Sequence, residues 1–170
     1  MTRKPVLTLW LLLFSLLAQS FAGREAHALS PQFGASFRRQ LNFIVARNPR
    51  YVWGGSNDIA SGLDCSGYIY LAAKWAGLPG VTRTTASRMA QGLGGWTSTT
   101  VNPEWAEELD LVFWTFSVTR PDGHVGAFLK ITPNSRVVTH ASSSRGVIAE
   151  PLGRRLTETI SRVRRLNIGD

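Results

Sequence analysis

The feature that most limits what this chain can fold into is a change of texture near its midpoint. Before residue 92 apolar residues recur at helical spacing; beyond residue 108 they form short strand-like runs divided by turn-formers. Ser30-Pro31 offers a capping hydroxyl and a proline at the first helical position. Phe37, Leu41, Ile44 and Val45 then follow until Asn48-Pro49 stops the run. Tyr51-Val52-Trp53-Gly54-Gly55 reads as an extended segment breaking into a turn. From Cys65 the period is helical again through Tyr68, Ile69, Ala72, Ala73 and Ala76, and it ends at Gly77 with Pro79 just beyond. A shorter helix is expected over 85–91, and a loop over 92–108.

Strands are expected at 109–116, 125–131, 136–141, 147–150 and 160–166. Arg120-Pro121-Asp122-Gly123, Thr132-Pro133-Asn134 and Ser142-Ser143-Ser144-Arg145-Gly146 supply the turns. Helices followed by adjacent strands indicate an α+β fold, with N-terminal helices packed on a central antiparallel sheet of about five to six strands. No internal repeat, low-complexity tract or linker divides residues 29–170, which read as one domain.

The first 28 residues read differently. Arg3 and Lys4 precede an apolar run from Val6 to Leu17, shorter than the roughly 20 residues that span a bilayer. Small-residue cleavage patterns follow at Ser20-Phe21-Ala22 and Ala26-His27-Ala28, with no cysteine nearby for a lipid anchor. A signal peptide over 1–28, cleaved near 22 or 28, is therefore expected; an uncleaved anchor or buried helix is the competing reading. The chain's formal net charge is +8, of which the first 28 residues hold only Arg3, Lys4, Arg24 and Glu25. That balance favours an anionic partner such as a cell-wall polymer, a membrane surface or nucleic acid, and does not choose among them.

Export makes the single cysteine informative. Cys65 can form no internal disulfide, and an unpaired thiol outside the cytoplasm is open to oxidation. A helix N-terminus and a nearby imidazolium are the two devices that would draw its pKa down and make it a nucleophile. Gly62 and Gly67 would let a substrate backbone approach. A small buried cysteine in a helix is the competing reading. His27 leaves with the signal, so His124 and His140 are the remaining imidazoles.

Their separation is even, and strand side chains alternate faces. With Thr132-Pro133-Asn134 as a three-residue hairpin loop, Ile131 lies opposite Ser135 and His140 opposite Gly126. His124 then shares a face with His140, and Gly126 leaves room beside the ring. The arrangement is Cys65 as nucleophile, His124 as base and His140 as the group orienting His124. A zinc site built from the same three residues is the alternative, although structural zinc usually brings close-spaced cysteine pairs. So is a pair of surface histidines.

Five stretches in order, Tyr51-Val52-Trp53-Gly54-Gly55, Leu63-Asp64-Cys65-Ser66-Gly67-Tyr68, Asp110-Leu111-Val112-Phe113-Trp114, His124-Val125-Gly126-Ala127-Phe128-Leu129 and His140-Ala141-Ser142, resemble the motif series of NlpC/P60 cysteine peptidases. The resemblance implies a papain-like fold and an exported hydrolase, periplasmic or extracellular. It would cut peptidoglycan stem peptides, usually between D-glutamate and a diamino acid. It implies the triad Cys65, His124 and His140, with an acyl-thioenzyme intermediate; no cofactor and no metal are expected. Tyr51 would lie beside the oxyanion site, and Asp64 and Ser66 would recognise a free amine. The implied partner is peptidoglycan or a muropeptide, with no nucleic acid expected; the net charge suits contact with an anionic envelope, and a monomer is expected.

Two other functions stay open: another thiol acyl-transfer enzyme, amidase or acyltransferase, and a non-catalytic wall-binding module. The family often has glycine where this chain has Leu109, which suggests a looser turn into the strand. The hairpin between the histidines is longer than usual by an even number, and no cell-wall-binding repeat or SH3-like domain is read before the catalytic part. Among Trp53, Trp75, Trp96, Trp105 and Trp114, packing is the expected use of most, with Trp96 the candidate for a cleft wall. Arg154, Arg155, Arg162, Arg164 and Arg165 read as a solvated face, and Arg83-Thr84-Thr85 as a cleft border.

Overall fold

A computed structural model describes residues 29–115, 119, 121–130, 135–153 and 159–168. Three α-helices come first: α1 (Pro31–Arg47), α2 (Cys65–Ala76) and α3 (Ala86–Ala90). Six strands follow, β1 (Ser98–Val101), β2 (Leu111–Trp114), β3 (His124–Leu129), β4 (Val137–Ser142), β5 (Gly146–Pro151) and β6 (Ile160–Leu166). They form one sheet in the order β1-β6-β2-β3-β4-β5, with every neighbouring pair antiparallel. Helices packed on an open antiparallel sheet are the α+β architecture expected from the sequence. No described helix is long and apolar enough to cross a membrane. The signal peptide expected over 1–28 and the hairpin loop expected at 132–134 lie outside the described residues.

Helix α1 begins at Pro31 as expected, but the Ser30 hydroxyl makes no capping bond. It ends at Asn48, whose left-handed backbone returns its N–H to the Val45 carbonyl. Phe37, Leu41 and Ile44 bury against α2, whose small residues Ala72 and Ala73 are fully enclosed. On the sheet side this core is completed by Val125, Ala127 and Leu129 of β3, alternate residues of one strand. Val112, Trp114, Phe128, Val138 and Val163 form a second buried cluster. Strand β2 thus has all four residues buried, which explains its continuous apolar run.

Two expectations need correction. Ser98–Val101 forms an edge strand inside the stretch read as loop; its Ser-Thr-Thr-Val has no buried residue and so no apolar alternation. Leu109 does not loosen the turn before β2: it takes a left-handed φ of 72°, the region glycine prefers. Its N–H bonds the Phe128 carbonyl at 2.8 Å, and its side chain packs near Gly34.

Arg162, Arg164 and Arg165 are structural ties rather than a solvated face. Arg165 grips Asp110 with Nε and Nη2 at 3.0 and 2.9 Å, and Arg164 binds Ser98 and Thr100 across β1. Arg162 donates to the Ala90 carbonyl and faces Asp122 at 3.5 Å. Arg154 and Arg155 lie outside the described residues.

Candidate active site

Cys65 is the first residue of α2, and Asp64 caps that helix. One Asp64 oxygen accepts from the Gly67 N–H at 2.6 Å and the Ser66 hydroxyl at 2.9 Å. The other accepts from the Gly54 N–H at 2.9 Å and Arg83 Nη2 at 2.7 Å. Gly67 must be glycine, because a Cβ there would overlap the Gly55 carbonyl. The close approach expected of a substrate is made instead by the chain's own 54–56 turn. Leu63 holds that segment in place: its carbonyl accepts from Val52 N–H and its N–H donates to the Arg50 carbonyl. The Asp64 N–H likewise donates to the Gly55 carbonyl.

The histidines come from the sheet. The register sets Gly126 opposite His140, as the spacing anticipates, and a Cβ on Gly126 would crowd the His140 Cβ at 3.2 Å. His124 Nε2 lies 2.8 Å from His140 Nδ1, and the rings meet nearly perpendicular at 88°. Trp114 lies against both, its ring centre 5.4 Å from His124 and 6.1 Å from His140. The turn leading into His124 is pinned from β6, where the Ser161 hydroxyl donates to Asp122 at 2.6 Å.

Two hollows meet at Cys65. One, about 360 Å³, is lined by Asp64, Ser66, Arg83 and Ser87; the other, about 590 Å³, by Tyr51, His124, His140 and Ser142. Cys65 and Trp53 border both. The structure therefore gathers Cys65, His124, His140 and Tyr51 around one hollow and sets Asp64 and Ser66 on the adjoining one. Asp64 and Ser66 face Arg83, whose Nη1 donates to the Ser66 hydroxyl at 2.9 Å and also to the Thr84 carbonyl. Trp96 is not a cleft wall: it is fully buried with its Nε1 on the Thr82 carbonyl. Trp53 takes that place, 77% exposed, and Trp105 is exposed too.

Electrostatics differ from the expectation of a thiol drawn down by its helix. Burial pushes the Cys65 thiol from 9.0 up to about 11. The Val125 N–H opposes this, Asp64 adds to it, and the Ser66 N–H and Arg83 again oppose it. Desolvation wins because Cys65 is only 5% exposed. Burial, then His140, pushes His124 down to about 3 against the pull of Glu150. Burial also lowers His140, with Glu150 opposing. Tyr51 is raised to about 12, by burial first and then by Cys65 and Asp64. Either charge alone is disfavoured here. Burial thus keeps the thiol protonated and the imidazole neutral at neutral pH.

Beyond the histidines lie residues the sequence reading missed. His140 Nε2 meets Glu150 Oε1 at 2.7 Å, and Arg145 Nη2 meets Glu150 Oε2 at 2.7 Å. The available signal was register: with His140 opposite Ile148 and Val138 opposite Glu150, Glu150 falls on the histidine face of the adjacent strand. Among the described residues no cluster of His, Cys, Asp or Glu could hold a metal ion.

A cysteine opening a helix and two histidines from an antiparallel sheet line one hollow of an α+β fold. The model of the NlpC/P60 family matches residues 48–165, most of the chain. The chain belongs to the NlpC/P60 family, whose members are typically cysteine peptidases.

Solved structures agree on the fold. An NLP/P60-family protein similar to a lipoprotein, from Staphylococcus aureus, superposes with a TM-score of 0.63 at 21% identity, over 89% of this chain and 47% of its own. An NlpC/P60 family protein from Bacillus cereus gives 0.61 at 19% identity, over 78% and 40%. NlpC2 from Trichomonas vaginalis gives 0.57 at 19%, over 79% and 47%. The chain spans less than half the length of each of these proteins. No match is found among curated protein sequences.

Proposed function

We propose that the chain is an exported cysteine peptidase that hydrolyses peptidoglycan stem peptides, at the bond between D-glutamate and a diamino acid. The observation that carries this reading is one hollow lined by Cys65, His124 and His140, with the two imidazoles 2.8 Å apart. Family membership supports the substrate class. The charged start and apolar run of residues 1–28 support export, and the net charge of +8 suits an anionic envelope.

In the proposed reaction Cys65 Sγ attacks the scissile carbonyl as its proton passes to His124. The Cys65 N–H opens α2 and has no intrahelical acceptor, so it is available to the oxyanion on the side bordered by Tyr51. His124 then returns the proton to the departing amine, leaving an acyl-thioenzyme. A water, deprotonated by His124, attacks the thioester and releases the new carboxyl group and the thiol. Asp64 and Ser66 would receive a stem-peptide amine, through a carboxylate already held by Arg83.

The test is mass spectrometry of purified muropeptides digested by the wild-type chain and by Cys65→Ala. New fragments from the wild type alone support the reading and identify the bond. Equal products from both, or none from either, overturn it.

A further inference from the structure

We propose that Glu150 is a positioning residue for the Cys65–His124 pair, acting through His140 to fix the tautomer of His124 and to answer the charge His124 takes up. This rests on the reading of Cys65 as a nucleophile. The geometry is a continuous line of contacts: Arg145 Nη2 to Glu150 Oε2 at 2.7 Å, Glu150 Oε1 to His140 Nε2 at 2.7 Å, and His140 Nδ1 to His124 Nε2 at 2.8 Å.

Burial pushes the Glu150 carboxyl up, but hydrogen bonds from Arg145 and His140 outweigh it and hold the group below 4.5. At neutral pH it is therefore a carboxylate with lone pairs only. His140 Nε2 must then carry the hydrogen of that contact. In a neutral ring this leaves His140 Nδ1 bare, so the hydrogen of the next contact belongs to His124 Nε2. His124 is left with its Nδ1 lone pair, the atom that takes the Cys65 proton. A carboxylate on β5 thereby selects the basic nitrogen two rings away.

The same line bears on charge. As the Cys65 proton moves to His124 Nδ1, no proton leaves the site and Glu150 stays ionised. The new imidazolium can share its charge with His140 against the Glu150 carboxylate. The other groups facing the rings do not serve this purpose. Tyr51 is an undissociated phenol, Arg145 is a cation already spent on Glu150, Trp114 is uncharged, and Cys65 is the proton donor. A surface Arg–Glu bridge by itself contributes little, and Arg145 is more than half exposed. What sets Glu150 apart is its second oxygen, bonded to a buried ring.

The experiment measures two rates across pH for the full-length wild type, Glu150→Gln and Glu150→Ala. One is alkylation of the single cysteine by iodoacetamide, read by mass; the other is turnover of muropeptides. Glu150→Gln keeps an acceptor for His140 of the same shape, and circular dichroism reports folding. Glu150→Ala is expected to slow alkylation at neutral pH by about tenfold or more, with kcat falling and KM unchanged. Glu150→Gln is expected to recover part of that loss. In both, the acid limb of the pH profile should move toward acid, because His124 without the Glu150 carboxylate is harder to protonate.

Wild-type rates and profiles in a folded Glu150→Ala overturn the proposal. So does a uniform loss with the profile unmoved, which is the mark of a structural role. Alkylation that responds to Glu150 while the wild type leaves muropeptides intact upholds the proposal and overturns the peptidase reading.

Discussion

Burial sets the state of both Cys65 and His124, pushing the thiol up to about 11 and the imidazole down to about 3. His124→Ala should therefore leave an inert thiol, its alkylation at neutral pH falling about a hundredfold and recovering only in alkaline solution. A variant alkylated at the wild-type rate would contradict this. Asp64 carries a different load, capping α2 and binding Arg83, Ser66 and Gly54 at once. Asp64→Ala should cost about 2 kcal/mol or more in stability, measured by denaturant unfolding. That Cys65, His124 and His140 would lie together was legible in the sequence, because an even separation on paired strands puts the two imidazoles on one face, and all three line one hollow. The direction of the thiol's pKa was not, since burial is a property of the packed site and outweighs the helix end. Glu150 was missed because only the β4–β5 pairing, not its local sequence, sets it on the histidine face, and Trp53 because its exposure is set by packing elsewhere in the chain.

Elements place these residues more firmly than the residues place themselves. Helix α2 meets the 54–56 turn so closely that Gly67 has no room for a methyl group. Gly67→Ala should cost about 3 kcal/mol or more and lower the melting temperature, since backbone rather than a flexible side chain blocks the space. A melting temperature equal to wild type would show that the turn can move aside. On the sheet, the pairing of Gly126 with His140 depends on an odd-length turn, and the residue spacing announced it. Periodicity also gave α1, α2 and five of the strands. It failed at Ser98–Val101, whose polar edge strand is held by Arg164 side-chain bonds rather than by apolar alternation. The arginines of β6 were misread as solvated because their acceptors, Asp110, Ser98 and Asp122, are remote in sequence.

Across the whole molecule the buried groups set a pH window for stability. His124 and His140 have folded pKa values below their ordinary 6.5, so the unfolded chain binds protons that the folded rings refuse. Their contribution is complete above 6.5 and is lost as pH falls toward the folded values; the lowered Glu150 acts in the same direction below 4.5. Cys65 and Tyr51 are raised from 9.0 and 10.0, so the unfolded chain gives up protons first and stability declines above 9.0. The melting temperature should thus be highest between about pH 6.5 and pH 9; a maximum near pH 5 would contradict these shifts. The start of α2 and both hollows meet at one residue, Cys65. The most direct measurement is the intact mass of the protein after rapid acid quench during muropeptide turnover. The account predicts a transient adduct on Cys65 equal in mass to the acyl half of the cleaved peptide, absent in Cys65→Ala. Turnover that proceeds in Cys65→Ala, or in the wild type without any covalent adduct, would contradict it.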